Sequence, residues 1–204
     1  MQKIISLFKR DYEGNRQIYD EIVPGAEWVQ KGGGIATVKI DGTACMIKDG
    51  KLYKRYDVKR GKKQPEGFIP AQEPDSVTGH WPGWILVGNG PEDQYHREAF
   101  DNHSDLRNSE GTYELVGPKI QGNPYGLQAG HELWKHGIFT FPIDAEPPRT
   151  FDGLKRFFEE HPEYEGIVWH HEDGRMVKIK RKDFGLPWPI HKGSVDNLKA
   201  DKIY

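Results

Sequence analysis

The stretch Ile35-Ala-Thr-Val-Lys39-Ile-Asp41-Gly42-Thr-Ala-Cys45-Met-Ile-Lys48-Asp49-Gly50-Lys-Leu52-Tyr-Lys-Arg55-Tyr56 decides how the chain folds. Its apolar and β-branched runs flank Asp49-Gly50, a pair that favours the positive φ of a hairpin turn, so two or three antiparallel strands are expected here. Gly32-Gly33-Gly34 precede them and lack the spacing of a phosphate loop followed by Lys-Ser or Lys-Thr. They read as a flexible turn leading into the first strand.

Outward from this hairpin, residues 61 to 80 show no apolar periodicity and predict a long surface loop. A strand is expected at Trp84-Ile-Leu-Val. Pro91 then opens a helix whose Tyr95, Ala99, Phe100, His103 and Leu106 share one face. Thr112-Tyr-Glu-Leu-Val and Gly137-Ile-Phe-Thr-Phe predict further strands, and Thr150 caps a helix carrying Phe151, Leu154, Phe157 and Phe158. Gly166-Ile-Val-Trp and Arg175-Met-Val-Lys-Ile-Lys form a second hairpin about Glu172-Asp-Gly.

The 204 residues, with 24 Gly and 14 Pro, suit many turns and short strands in a single domain spanning residues 1–204. Aromatic residues make up 12% of the chain, which argues for a packed core despite a mean hydropathy of -0.80. A formal charge of -2 excludes a chain-wide basic field for unselective nucleic-acid binding. That balance hides a division. Residues 48 to 63 carry net +6 and residues 175 to 182 net +5, leaving -13 for the rest. The two basic hairpins are expected to converge on one cleft.

Cys45 is the only cysteine, which excludes an internal disulfide and any multi-cysteine metal site. The short apolar stretch at the amino terminus is too short for a signal peptide, and no run is long enough to span a bilayer. The expectation is a soluble, cytoplasmic monomer that does not engage a membrane.

Four short elements carry the chemistry: Lys39-Ile-Asp41-Gly42, Tyr113-Glu114-Leu-Val-Gly117, Glu165-Gly166-Ile-Val and Val177-Lys178-Ile-Lys180. Each lies on or at the end of an expected strand. Singly they are ordinary strand-end charges. In this order, a lysine, two glutamates and a closing dilysine strand form the pattern of the covalent nucleotidyltransferases, the polynucleotide ligases and messenger RNA capping enzymes.

The chain most closely resembles the ATP-dependent RNA ligases, in particular the small single-domain 5′-3′ RNA ligases of the vertebrate RNA ligase-like family. The residues that carry the resemblance are 36–45, Leu52-Tyr-Lys-Arg-Tyr-Asp57, Thr112 through Gly126, Tyr164-Glu-Gly-Ile-Val-Trp169 and Met176-Val-Lys-Ile-Lys-Arg181. The resemblance implies an α+β fold of the nucleotidyltransferase type, a ligase adenylation domain related in style to ATP-grasp folds, with antiparallel sheets and flanking helices around an ATP cleft. Only 24 residues follow Lys180, too few for the carboxy-terminal OB-fold barrel of capping enzymes and most DNA ligases, so none is expected.

The implied roles are specific. Lys39 is the adenylated nucleophile, with Asp41 and Gly42 completing its motif. Glu114 holds the ribose, Glu165 positions Mg²⁺ or Mn²⁺, and Lys178 and Lys180 contact the α-phosphate. Arg55 touches the ribose or the RNA 5′-phosphate, or is simply a solvated hairpin cation; Arg60 is a weaker candidate. Phe139 is the aromatic chosen to stack on adenine, with Phe141 and Trp134 as alternatives and core packing as the ordinary reading of all three. The chemistry agrees: an attacking amine must be unprotonated, and neighbouring cations lower a lysine pKa while stabilising phosphate charge.

The implied substrates are ATP and RNA ends bearing a 5′-phosphate and a 3′-hydroxyl, in a reaction of RNA repair type. A small DNA ligase, a guanylyltransferase-like enzyme, or a non-catalytic nucleotide- or RNA-binding module of the same fold are the alternatives. Other features have plainer readings. His170 and His171 are adjacent on a strand and point to opposite faces, so they cannot easily share a metal. Cys45 is a small core residue, and Trp81, Trp84 and Trp188 are loop anchors more than stacking platforms.

Overall fold

The computed structural model describes residues 1–189. Its strands are β1 (Ile5–Ser6), β2 (Phe8–Arg10), β3 (Ile18–Ile22), β4 (Ile35–Lys39), β5 (Thr43–Lys48), β6 (Lys51–Val58), β7 (Ile69–Pro70), β8 (Trp81–Leu86), β9 (Gly111–Val116), β10 (Glu132–Lys135), β11 (Gly166–His170) and β12 (Met176–Lys180). The helices are α1 (Glu27–Gln30), α2 (Gln94–Asn102) and α3 (Phe151–Glu160). The architecture is α+β, dominated by antiparallel pairing. No helix among the described residues is long and apolar enough to cross a membrane.

Contacts divide the chain into two compact units, with the crossings after Lys3, after Ile40 and after His136. The first unit holds Met1–Lys3 and Asp41–His136 and contains a six-stranded sheet in the order β10-β9-β5-β6-β8-β7. Asp49 and Gly50 both adopt positive φ, 50° and 67°, so the turn chemistry closes β5 onto β6 as expected. Alternation along β5 sends Cys45 and Ile47 inward, where they pack with Leu52, Ala99, Leu106, Tyr113, Leu115 and Leu133. Helix α2 covers this core through Ala99, with Tyr95 and Phe100 packed against it. It ends at Asn102, and Leu106 sits in the 3-10 turn that follows.

Among the described residues the second unit holds Ile4–Ile40 and residues 137–189, with a four-stranded sheet in the order β1-β12-β11-β4 and the separate β2–β3 hairpin. Its core includes Leu7, Phe8, Leu154, Phe158, Ile167, Trp169, Val177 and Ile179, each fully or nearly fully buried. The β11–β12 hairpin closes through Gly174 at φ 87°. Helix α3 starts as expected, with the Thr150 hydroxyl accepting the Gly153 amide at 3.3 Å.

Three expectations are corrected. The strand expected at 137–141 is absent; pairing with β9 selects Glu132–Lys135 instead, and residues 137–141 include a bridge from Thr140 to Thr37 and a bond from the Val38 amide to the Phe139 carbonyl. Sequence reasoning also missed α1, β1, β2, β3 and β7, the last lying inside the loop expected at 61–80 and pairing with β8. The glycine lead-in is held firmly: the Arg149 guanidinium donates to the carbonyls of Val29, Gly33 and Gly34.

Candidate active site

Within the second unit, strand register places four of the candidate residues together. Gly166 on β11 lies opposite Lys39 of β4 on one side and opposite Lys180 of β12 on the other. Residues directly across a sheet share a face, and so do residues two apart along a strand, so Lys39, Lys178 and Lys180 all project from one face. Gly166 must lack a side chain in this row, because a Cβ there would meet the Ile179 carbonyl and the Lys180 backbone.

Glu165 sits at the start of β11 and is 6% exposed. Its Oε2 lies 2.7 Å from Lys39 Nζ, which also donates to the Ile40 carbonyl at 3.3 Å. Lys178 has its pKa lowered, first by burial and then by the charges of Lys39 and Lys180, with Glu165 and Asp183 pulling the other way. The Lys180 amide donates to Asp183 at 2.8 Å, and Asp183 is in turn paired with Arg10. These groups form a cationic row with two buried carboxylates, Glu165 and Asp183. Such a row attracts phosphate and favours a neutral amine among its members.

A second group lies in the first unit. The Gly42 amide donates to Glu114 Oε1 at 3.0 Å, and a Cβ on Gly42 would collide with the Leu115 carbonyl, so the turn demands glycine. The Asp41 amide donates to the Tyr125 hydroxyl at 2.5 Å, and Gln121 donates to the Gly42 carbonyl at 3.3 Å. Tyr125 is buried against Trp134, ring centroids 5.0 Å apart. The segment after β9 therefore clamps the Asp41-Gly42 turn.

Arg55 on β6 is half-buried rather than fully solvated. Its guanidinium donates to the Met1 carbonyl, lies 5.0 Å from the Trp84 ring centroid and approaches Asp57 at 3.5 Å. Burial lowers its pKa, with Asp57 opposing. Arg60 is exposed. Phe139 is 4% exposed, Trp134 2% and Phe141 9%, and Phe141 packs edge-on against Phe157 and Tyr164.

Sequence reasoning missed the partners of Glu114. His136 Nε2 lies 2.7 Å from Glu114 Oε2 and its Nδ1 lies 3.0 Å from the Thr112 hydroxyl. Nothing local marks His136 among nine histidines, since its partners come from another strand. Cys45 is fully buried and its thiol pKa is raised, by burial first and then by the charge of Glu114, as suits a core residue. His170 contacts Thr37 and His171 contacts Asp173, so the pair faces different partners. Trp84 is buried, whereas Trp81 and Trp188 are partly exposed.

Comparison with known proteins places this arrangement in a lineage. A family model described as RNA ligase 1 matches residues 102–199. RNA ligase 1 of Mus musculus is 30% identical over 226 residues, covering 76% of this chain and 68% of the relative. RNA ligase 1 of Rattus norvegicus is 30% identical over 244 residues, covering 82% and 74%. RNA ligase 1 of Danio rerio reaches 41% identity over a shorter 87 residues, 40% of this chain and 26% of the relative. With similarity at that level over most of both chains, the chain belongs to the RNA ligase 1 family.

Proposed function

We propose that the protein is an ATP-dependent RNA ligase that works through a lysyl-AMP intermediate on Lys39. The observation that carries this reading is the pairing of Lys39 with the buried Glu165 at 2.7 Å, on the sheet face that also presents Lys178 and Lys180.

Lys39 Nζ gives its proton to solvent before it attacks. The amine attacks the α-phosphorus of ATP, forming a phosphorus–nitrogen bond and releasing pyrophosphate with the electrons of the broken phosphoanhydride bond. Lys178 and Lys180 offset the charge that builds on the phosphate oxygens. An oxygen of the RNA 5′-phosphate then attacks the lysyl-AMP phosphorus, the phosphorus–nitrogen bond breaks and Lys39 is restored. Attack by an RNA 3′-hydroxyl on the activated 5′-phosphate, its proton passing to water, forms the phosphodiester as the phosphoanhydride bond breaks and AMP leaves with that bond's electrons. Glu114 is assigned to the ribose, the Asp41-Gly42 turn to the close backbone approach, Arg55 to the ribose or the RNA 5′-phosphate, and Phe139 to adenine.

The residues fit Mg²⁺ or Mn²⁺. Glu165 offers the oxygen ligand a hard cation prefers, and no three His, Cys, Asp or Glu among the described residues gather to hold an ion alone. The ion would therefore share Glu165 with phosphate oxygens and water. Bound there, it supplies positive charge that offsets the phosphates and favours the neutral form of a nearby amine.

The test is sealing of 5′-phosphate and 3′-hydroxyl ends with ATP and Mg²⁺, on nicked RNA, single-stranded RNA and nicked DNA. Sealing of an RNA substrate, lost in Lys39→Ala, is the expected result. Sealing of DNA alone would make the protein a small DNA ligase. Transfer of label only from GTP would make it guanylyltransferase-like, and no covalent label from either nucleotide would leave a binding module.

A further inference from the structure

We infer that His136 is a positioning residue that fixes the Glu114 carboxylate for ribose recognition and so sets the preference for a ribonucleotide over a deoxyribonucleotide. This rests on the reading of Glu114 as the ribose-binding group.

The geometry begins with strand alternation. Thr112 and Glu114 are two residues apart on β9, so their side chains leave the same face about 6.6 Å apart. β10 pairs with β9 with Trp134 opposite Glu114 and Lys135 opposite Tyr113, and the His136 amide then donates to the Thr112 carbonyl at 3.0 Å. That bond places the imidazole over the Thr112–Glu114 row. One ring nitrogen meets the Thr112 hydroxyl at 3.0 Å and the other meets Glu114 Oε2 at 2.7 Å.

A carboxylate only accepts hydrogen bonds, so His136 Nε2 carries the proton in this contact. The Thr112 hydroxyl can donate to or accept from Nδ1, which keeps the ring in place in either protonation state. Glu114 is then gripped at both oxygens, by the Gly42 amide on Oε1 and by His136 on Oε2. A carboxylate has about four lone-pair positions, so about one acceptor remains on each oxygen. Glu114 retains 9% exposure, enough for approach along one edge. Two fixed acceptors match two hydroxyl donors on adjacent ribose carbons. A 2′-deoxy sugar would leave one of them unsatisfied, the kind of loss on which polar sites discriminate most strongly.

A histidine that only satisfied a buried carboxylate would support folding and leave sugar preference untouched. The experiment compares rates of covalent AMP transfer from ATP and from 2′-deoxy-ATP for the wild type, His136→Ala, His136→Gln and Glu114→Ala. The wild type is expected to favour ATP by about tenfold or more, the worth of one well-made hydrogen bond. His136→Ala should lose most of that ratio by slowing ATP while 2′-deoxy-ATP changes by less than about threefold. His136→Gln, whose amide can donate to Glu114, should recover part of the ratio and covers the case in which the alanine variant does not fold. Equal slowing with both nucleotides, or an unchanged ratio in both His136 variants while Glu114→Ala abolishes it, would overturn the role of His136. An unchanged ratio in Glu114→Ala would instead overturn the ribose reading itself.

Discussion

His96 is 8% exposed, and both of its ring nitrogens are buried without a hydrogen-bond partner, with Asp93 Oδ1 3.9 Å away. Burial lowers its pKa below the usual histidine value; the Asp93 carboxylate opposes this, and Lys54, Arg97 and His131 add to it. Since the unfolded chain takes up the proton first, the contribution to stability is complete above about pH 6.5 and falls as pH drops toward the folded-state value. Urea unfolding should therefore show a falling midpoint below about pH 6.5, and His96→Leu should flatten that part of the decline. An identical pH dependence in the variant would contradict the assignment. Lys178 carries a second residue-scale expectation. A half-buried cation beside two others costs stability, so Lys178→Met should raise the unfolding free energy by about 0.5–2 kcal/mol while slowing AMP transfer. A destabilised variant with normal transfer would show that the row is structural.

At the scale of elements, the parts that sequence makes legible are those with local causes. Asp49-Gly50 closes β5 onto β6 because its turn needs positive φ, and Thr150 caps α3 because its hydroxyl reaches the Gly153 amide. Thr150→Ala should cost about 1 kcal/mol in the unfolding free energy, whereas Thr150→Ser should restore most of it. Equal stability of all three proteins would remove the cap from the account. The elements that sequence misplaces are fixed from a distance. Gly137-Ile-Phe-Thr-Phe has the stronger strand composition, yet Glu132–Lys135 becomes β10 because only that register lays Leu133 into the core against Leu115. Likewise, the glycines at 32–34 look loose in sequence, and Arg149, more than a hundred residues away, pins the carbonyls of Gly33 and Gly34. Lys39, Glu165, Lys178 and Lys180 were legible as a set because their order and strand-end positions carry the pattern. The grip of His136 on Glu114 was not, since it arises only when β9 and β10 pair.

Over the whole molecule, the near-zero charge conceals uneven use of its cations. Arg181 is 2% exposed and donates to the carbonyls of Phe158, His161 and Pro187, so it serves the second unit's interior. Lys54 is engaged by the buried Asp93. By contrast, Lys59, Arg60, Lys62 and Lys63 are exposed on the segment after β6. If RNA runs along that segment, replacing all four with Gln should weaken binding of single-stranded RNA and reduce the slope of log affinity against log salt by about 2–3, since each released phosphate contact contributes about 0.7. An unchanged slope would place the RNA path elsewhere. The central claim, a covalent adenylate on one lysine, is tested most directly by mass spectrometry of the protein after incubation with ATP and Mg²⁺. The account predicts a single added AMP that maps to the peptide containing Lys39 and is absent from Lys39→Ala; an adduct on another residue, or one that persists in that variant, would contradict it.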